Sequence, residues 1–120
     1  MTHLMQQIEE SVLLLNIKIN MQDKILIIED DPFTIQFYNF LFKRTAFEIK
    51  ITDNGDTLID YLKNDSFSVI LLDVNLKNTF INGKRVDGIE ISKFLKNHNH
   101  YAHIPIILVT AYSDKINGFD

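Results

Sequence analysis

Carboxylate and hydroxyl side chains stand at the ends of three apolar runs in the 120-residue sequence. The stretch Lys24–Asp31 (KILIIEDD) ends in three acids, Ser68–Asp73 (SVILLD) ends in one acid, and Ile104–Thr110 (IPIILVT) ends in a hydroxyl. Oxygen ligands of this kind suit a hard cation, and a carboxylate can also serve as a nucleophile toward a phosphoryl group. The three run ends are therefore the candidate functional residues of the chain.

Carboxylates that converge repel one another, and at pH 7 they stay ionised together only if a cation joins them. Mg²⁺ fits a site with few carboxylates because it keeps several waters and is often shared with phosphate. Such a cation would offset the charge that builds on transferring phosphoryl oxygens. The alternative is that the acids only cap the helices that follow their strands. Capping suffices for a single acid, but it does not account for all of them together with Thr110.

The runs themselves predict the elements that position these groups. Ile25–Ile28 is apolar without alternation, which is typical of a central parallel strand covered by helices on both faces. Asp31-Pro32 is a helix-start signal, and Lys43-Arg44 suits a helix end. Further elements are predicted as a strand at Phe47–Thr52, a helix at Asp56–Lys63, a polar loop at Val74–Val86 and a helix after Asp87-Gly88. Alternating strands and helices indicate an α/β fold with a parallel sheet, in which ligands bind at the carboxyl ends of the strands.

Composition bounds the class of protein. The length predicts one domain, and a net charge of −4 with no cluster of basic residues disfavours nucleic-acid binding. The absence of cysteine excludes disulfides and thiolate chemistry, and no apolar run is long enough to span a membrane. We therefore expect a cytoplasmic protein. Three of the four histidines crowd the turn Asn97–His103, where a solvated loop is a better interpretation than a metal site.

Five segments carry a resemblance to a known family. In order, ILIIEDDP, DNGDTLIDYL, VILLDVNL, DGIEISKFLK and IPIILVTAYSD resemble the receiver domain of two-component response regulators, over about Lys24–Asp120. The resemblance implies a flavodoxin-like doubly wound parallel sheet of five strands in the order 2-1-3-4-5. It also implies a regulatory, phospho-accepting domain rather than an enzyme, with autodephosphorylation as a family property.

The resemblance assigns the phosphoryl chemistry to three residues. Asp73 would accept a phosphoryl group from a phosphohistidine on a histidine kinase or a histidine phosphotransfer protein. Thr110 would move toward the phosphoryl oxygens, and the backbone N–H of Ala111 would also donate to them. This movement would switch partner binding, because a local charge change biases a two-state element.

The same resemblance implies a Mg²⁺ site beside the phospho-acceptor. Asp30, Asp73 and the backbone carbonyl of Asn75 would ligate the ion, and Glu29 would act mainly through a metal-bound water. Asp31 falls outside this set and is predicted to cap the first helix.

Two departures from the family pattern stand out. Thirteen residues separate Asp73 from Asp87, more than is usual in the family, and the proline common there is absent. The polar insert Lys77–Arg85 is expected to be a mobile lid or a partner-contact loop, with a neutral surface bulge as the alternative. The lysine-bearing fifth strand and the last helix of the family are missing before Asp120, since Lys115 follows Thr110 too closely to be that lysine.

These departures lead to expectations about domains and assembly. Residues 1–22 are expected to be an extension or linker, helical to about Leu14 or partly extended, and residues 23–120 a receiver domain truncated within its fourth helix. Such a chain would be a fragment of a longer receiver domain or a natural incomplete copy. Its fourth strand would be an exposed apolar edge, so we expect an oligomer, or coverage of that edge by Val12–Ile19 of the same or another copy.

Three functions compete at this stage. The first is a phospho-accepting switch with an unknown output partner, and the second is a degenerate receiver that binds partners without phosphorylation. The third is a phosphohydrolase with an aspartate nucleophile, which is disfavoured because Asn75 stands where the dehalogenase-like enzymes need a second aspartate. A nucleotide-binding phosphate loop is excluded, because no Gly-rich Lys-Ser/Thr motif occurs.

Overall fold

A computed structural model describes residue 3, residues 5–10 and residues 24–110 of the chain. Residues 5–10 are helical. The strands described are β1 (Lys24–Ile28), β2 (Glu48–Thr52), β3 (Val69–Asp73), β4 (Phe80–Ile81), β5 (Lys84–Arg85) and β6 (Ile106–Val109), and the helices are α1 (Pro32–Phe42), α2 (Gly55–Asn64) and α3 (Gly88–Lys96). None of the helices in these ranges has the length and apolar character needed to cross a bilayer.

Four strands form one parallel sheet in the order β2-β1-β3-β6. This order confirms the first four positions of the predicted 2-1-3-4-5 topology. In the register, Ile28 lies opposite both Thr52 and Leu72, and Asp73 lies opposite Val109. The carboxyl ends of β1 and β3 therefore meet side by side in the middle of the sheet.

The central strands β1 and β3 are buried on both faces, as their unalternating apolar runs predicted. Residues 25–28 of β1 are all inaccessible to solvent, and alternate side chains enter different cores. One core joins the sheet to α1 and the N-terminal helical residues through Ile8, Ile25, Ile27, Tyr38, Leu41, Phe42, Phe47, Val69, Leu71 and Val109. The opposite core joins it to α2 and α3 through Leu26, Ile28, Leu58, Leu62, Phe67, Ile70, Leu72, Leu76, Ile91, Leu95 and Ile104.

Side-chain caps set the starts of the three helices. Asp31 accepts a bond from the Thr34 N–H, so the predicted cap of α1 is present, with Pro32 in the first turn. Asn54 caps α2 in the same way, and Asp87 forms a reciprocal capping box with Glu90 at α3. The helices therefore begin close to the residues that the sequence indicates.

The loop predicted at Val74–Val86 is wrong in one respect, because it contains a β-hairpin. Strands β4 and β5 pair antiparallel around Asn82 and Gly83, both of which have positive φ values. Two successive residues with positive φ are the geometry of a type I′ turn, for which Asn-Gly is the preferred sequence. We refer to residues 77–85 as the insert hairpin.

Other limits differ slightly from the prediction. The fourth strand of the main sheet spans Ile106–Val109 rather than Ile104–Thr110, and β2 begins at Glu48 rather than Phe47. Ile104 and Phe47 instead fill the two cores. Ala111, Val12–Ile19 and the residues after Thr110 that were expected to begin the fourth helix lie outside the described residues.

Candidate functional site

Three acids come together where β1 and β3 end. Glu29 and Asp30 follow β1, and Asp73 is the last residue of the neighbouring strand β3. One carboxylate oxygen from each residue lies within 4.8 Å of the others. Asp31 points elsewhere, because its Oδ2 accepts bonds from the backbone N–H and the hydroxyl of Thr34. The structure thus brings together the three predicted acids, and Asp31 beside them is the predicted cap of α1.

Backbone donors hold the acids in place. The Oε2 atom of Glu29 accepts a 3.1 Å bond from the Asp31 N–H. Oδ1 of Asp73 accepts a 2.9 Å bond from the Asn75 N–H. The side-chain amide of Asn75 in turn lies 3.5 Å from the Thr110 hydroxyl, as donor to Oγ1. Asn75 therefore connects the end of β3 with the residue after β6.

Burial raises the pKa values of two acids of this site, Glu29 and Asp73. Glu29 is 2 % exposed, and burial, followed by the negative charge of Asp73, raises its pKa from 4.5 to about 8. The pKa of Asp73 is also raised by burial, and the bond from the Asn75 N–H opposes this rise. A hydrogen bond between the two side chains raises the pKa of Glu29 and lowers that of Asp73, so Glu29 is the donor of this bond.

An open pocket of about 400 Å³ lies over the acids. It is lined by Glu29, Asp30, Asp31, Pro32, Thr34, Asp73, Asn75, Lys77 and Asn78. Oδ2 of Asp30 accepts bonds of 2.6 Å from the Lys77 N–H and 2.7 Å from the Asn78 N–H. The insert hairpin therefore begins at the acid cluster and closes one side of the pocket.

Sequence reasoning missed these two amide donors. The available signal was the absence of the proline that is common in this loop of the family. A proline has no N–H to donate, whereas Lys77 and Asn78 each have one. Asn75, whose backbone carbonyl is a predicted ligand, donates hydrogen bonds to Asp73 through its backbone N–H and to Thr110 through its side-chain amide.

Two histidines of the turn at residues 97–103, His98 and His100, form a separate aromatic cluster with Tyr101. The ring of His98 stacks on Tyr101 at 4.3 Å and accepts a bond from the His100 N–H at Nδ1. Among the described residues, only Glu29, Asp30 and Asp73 form a group of three acids or histidines close enough to hold a metal ion together.

Comparison with known proteins gives a consistent result. Residues 25–119 match the response regulator receiver domain family. The polar-differentiation response regulator DivK of Brucella anthropi is 30% identical over 95 residues, which cover 79% of this chain and 72% of that protein.

Solved structures share the fold at lower sequence identity. The phosphorylated cyanobacterial phytochrome response regulator RcpA matches with a TM-score of 0.60 at 21% identity, covering 80% of this chain and 71% of that one. The receiver domain of a sensor histidine kinase from Pseudomonas aeruginosa, solved with magnesium in its active-site cleft, also has a TM-score of 0.60, at 17% identity with 72% and 66% covered. Since the family match spans most of the sequence and the acids lie at the strand ends of a β2-β1-β3-β6 sheet, this chain belongs to the response regulator receiver domains of two-component signalling systems.

Proposed function

We propose that Asp73 accepts a phosphoryl group from a phosphohistidine of a histidine kinase or histidine phosphotransfer protein, with Mg²⁺ at the adjacent acids. The observation that carries this proposal is the approach of the Glu29, Asp30 and Asp73 oxygens to within 4.8 Å in a pocket open to solvent. Similar domains solved in phosphorylated form and with magnesium support it by analogy.

The donor set fits Mg²⁺. All three side chains offer oxygen, and the raised pKa of Glu29 beside Asp73 indicates that a further negative charge is unfavourable here without a cation. Asp30 and Asp73 would bind the ion directly with the carbonyl of Asn75, and Glu29 would act through a water. When bound, the cation would offset the negative charge on the phosphoryl oxygens.

In the transfer step Asp73 is the nucleophile. The Asn75 N–H orients its carboxylate by a bond to Oδ1, and one carboxylate oxygen attacks phosphorus. An O–P bond forms, the P–N bond of the phosphoimidazole breaks, and the leaving nitrogen takes up a proton from solvent. Asp73 must be ionised for this attack. Burial raises the pKa of Asp73, and the bonds from the Asn75 N–H and from Glu29 oppose this rise.

A mass-spectrometric experiment tests the proposal. The wild-type chain with acetyl phosphate and Mg²⁺ should gain the mass of one phosphoryl group, and Asp73→Asn should not. Asp60→Asn is a matched control, because it makes the same carboxylate-to-amide change on the exposed side of α2. Modification of the Asp73→Asn variant would refute the assignment, and an unmodified wild type would favour the phosphorylation-independent alternative.

The proposed switch acts through Thr110. We infer that its hydroxyl moves toward the phosphoryl oxygens, where the Ala111 N–H would also donate. The 3.5 Å contact between the Asn75 amide and the Thr110 hydroxyl supports this role, because it links the switch residue to the turn beside Asp73. Thr110→Ala should still be phosphorylated but should lose the phosphorylation-dependent change in partner affinity. Retention of that change would contradict the proposal.

Assembly and location belong to the same proposal. Strand β6 is the edge of the described part of the sheet, and its Leu108 is 45% exposed. An apolar edge favours pairing with another strand, so we infer an oligomer formed through β6. Light scattering after gel filtration tests this, and a wild-type mass equal to that of Leu108→Lys at every concentration would contradict it. The cytoplasmic location and the output partner remain predictions from the sequence.

A further inference from the structure

We propose that the insert hairpin is a positioning element of the cation site, whose docking on α2 sets the affinity of Asp30 and its neighbours for Mg²⁺. This inference rests on the proposed function, since it assumes that Asp30 ligates the ion. It goes further in assigning a task to residues 77–85, which the sequence left open between a lid, a partner-contact loop and a surface bulge.

The first support is the contact with Asp30. Its Oδ2 receives two backbone N–H bonds, of 2.6 Å from Lys77 and 2.7 Å from Asn78, across more than forty residues of sequence. Bonds to an ionised carboxylate are short and strong. Because both donors converge on Oδ2, the carboxylate plane is fixed and Oδ1 remains available for a cation. Hydrogen bonds to the second atom of a ligand are the usual way in which proteins orient it.

The second support is the clamp at the other end of the hairpin. The Asn82 N–H donates a 3.1 Å bond to Oδ1 of Asp56, and Ile81 packs against the core beneath α2. Gly55 permits this approach, because a Cβ there would lie 2.6 Å from the Phe80 carbonyl oxygen and closer still to Ile81. The hairpin is therefore fixed on α2, and its first two amides are held in a defined position at the acid cluster.

Docking and cation binding share Asp30, so the two processes are linked. The hairpin occupies one oxygen of Asp30 and leaves the other, and its N–H dipoles reduce the repulsion among three adjacent carboxylates. Each process should therefore strengthen the other, and by the reciprocity of linked equilibria the effect is equal in both directions. If the amides instead competed with the ion for Asp30, docking and Mg²⁺ binding would weaken each other.

A pair of substitutions at Lys77 separates the backbone donor from the side chain. Lys77→Pro removes the N–H, and Lys77→Ala keeps it while removing the ammonium group. Titration calorimetry with Mg²⁺ should give an affinity that is roughly ten-fold or more weaker for Lys77→Pro, the range found on loss of ligand-orienting bonds. Lys77→Ala should stay within about two-fold of wild type. Equal affinities for the two variants would overturn the inference.

A substitution away from the site tests whether Lys77→Pro weakens binding only because the proline distorts the loop locally. Gly55→Ala retains every acid and both amides, but its Cβ displaces Ile81 and Phe80 and so undocks the hairpin. It should weaken Mg²⁺ binding in the same direction as Lys77→Pro, with a thermal unfolding transition that shows the domain still folded. An unchanged affinity in a folded Gly55→Ala protein whose hairpin amides have become exposed would contradict the proposed linkage.

Hydrogen exchange of the wild-type chain shows directly whether Mg²⁺ binding strengthens or weakens the docking of the hairpin. The amide protons of Lys77 and Asn78 should exchange more slowly when Mg²⁺ is added, and faster exchange would show competition and overturn the inference. Failure of the proposed function is distinguishable, because a wild-type chain without measurable Mg²⁺ binding would end both proposals. Normal binding and phosphorylation with no response to the hairpin variants would end this inference alone.

Discussion

Raising the pH in the absence of divalent cations should destabilise this domain through Glu29. The pKa of this buried carboxyl is raised from 4.5 to about 8 in the folded chain, chiefly by burial. Between these two values the folded protein keeps a proton that the unfolded chain has released, so each increase in pH favours unfolding. The stabilisation is complete below pH 4.5 and is lost as the pH rises through about 8.

The expected size of this effect follows from the same two values. One pKa unit corresponds to about 1.4 kcal/mol, so the interval from 4.5 to about 8 represents a loss of about 5 kcal/mol at most. The pKa of Asp73 is also raised, chiefly by burial, so Asp73 contributes in the same direction. A loss of this size is a large fraction of the stability of a typical domain.

Urea denaturation between pH 5 and pH 8 in the presence of a chelator measures the slope. Wild type should lose several kcal/mol of unfolding free energy, whereas Glu29→Gln should lose much less, because its amide does not titrate. The two proteins differ only at position 29, so the difference between their curves isolates Glu29. Under the proposed function, saturating Mg²⁺ should reduce the pH dependence of the wild-type unfolding free energy. Parallel wild-type and Glu29→Gln curves would refute the reasoning.

Two further predictions concern packing around the site. Gly88→Ala should destabilise the domain by roughly 2 kcal/mol or more, because its Cβ would lie 2.8 Å from Val74 Cα and still closer to the Asp73 carbonyl oxygen. Urea denaturation measures this loss, and an unchanged midpoint would contradict the prediction. Ile8→Ala should cost about 3 kcal/mol, because this side chain is fully buried in the core shared by β1, β3 and α1; a cost near zero in thermal unfolding would show that residues 5–10 do not stabilise the sheet.

Much of the central sheet could be predicted because its signals are local. The unalternating run of β1 requires cover on both faces, and Asp31-Pro32 specifies a helix start within two residues. Once β1 and β3 are adjacent parallel strands, their carboxyl ends must meet, and the acids that follow them must converge. Glu29, Asp30 and Asp73 were found in this way, without any knowledge of distant contacts.

The insert hairpin was mispredicted as a loop because its support is distant in sequence. Asn82-Gly83 is a hairpin signal, but the flanking strands of two residues each are too short for an alternating pattern to show. Their position depends on Gly55 and Asp56, and on the two amides that bind Asp30. Ile8 is a similar case, since helical spacing predicts a helix but not the surface that the helix will cover.

The acids that carry the proposed chemistry oppose the stability of the fold, and backbone groups offset them. Strands β1 and β3 cannot shift to separate Glu29 from Asp73, because a one-residue slip would move buried side chains to the opposite core. Each acid instead accepts at least one backbone N–H bond, with donors in Asp31 for Glu29, in Asn75 for Asp73, and in Lys77 and Asn78 for Asp30. A cation or a phosphoryl group that changes the charge on these acids must therefore act first on the turns that supply the donors. Of these segments the insert hairpin reaches farthest, to α2, so it is where we expect the charge of the site to be detected at a distance.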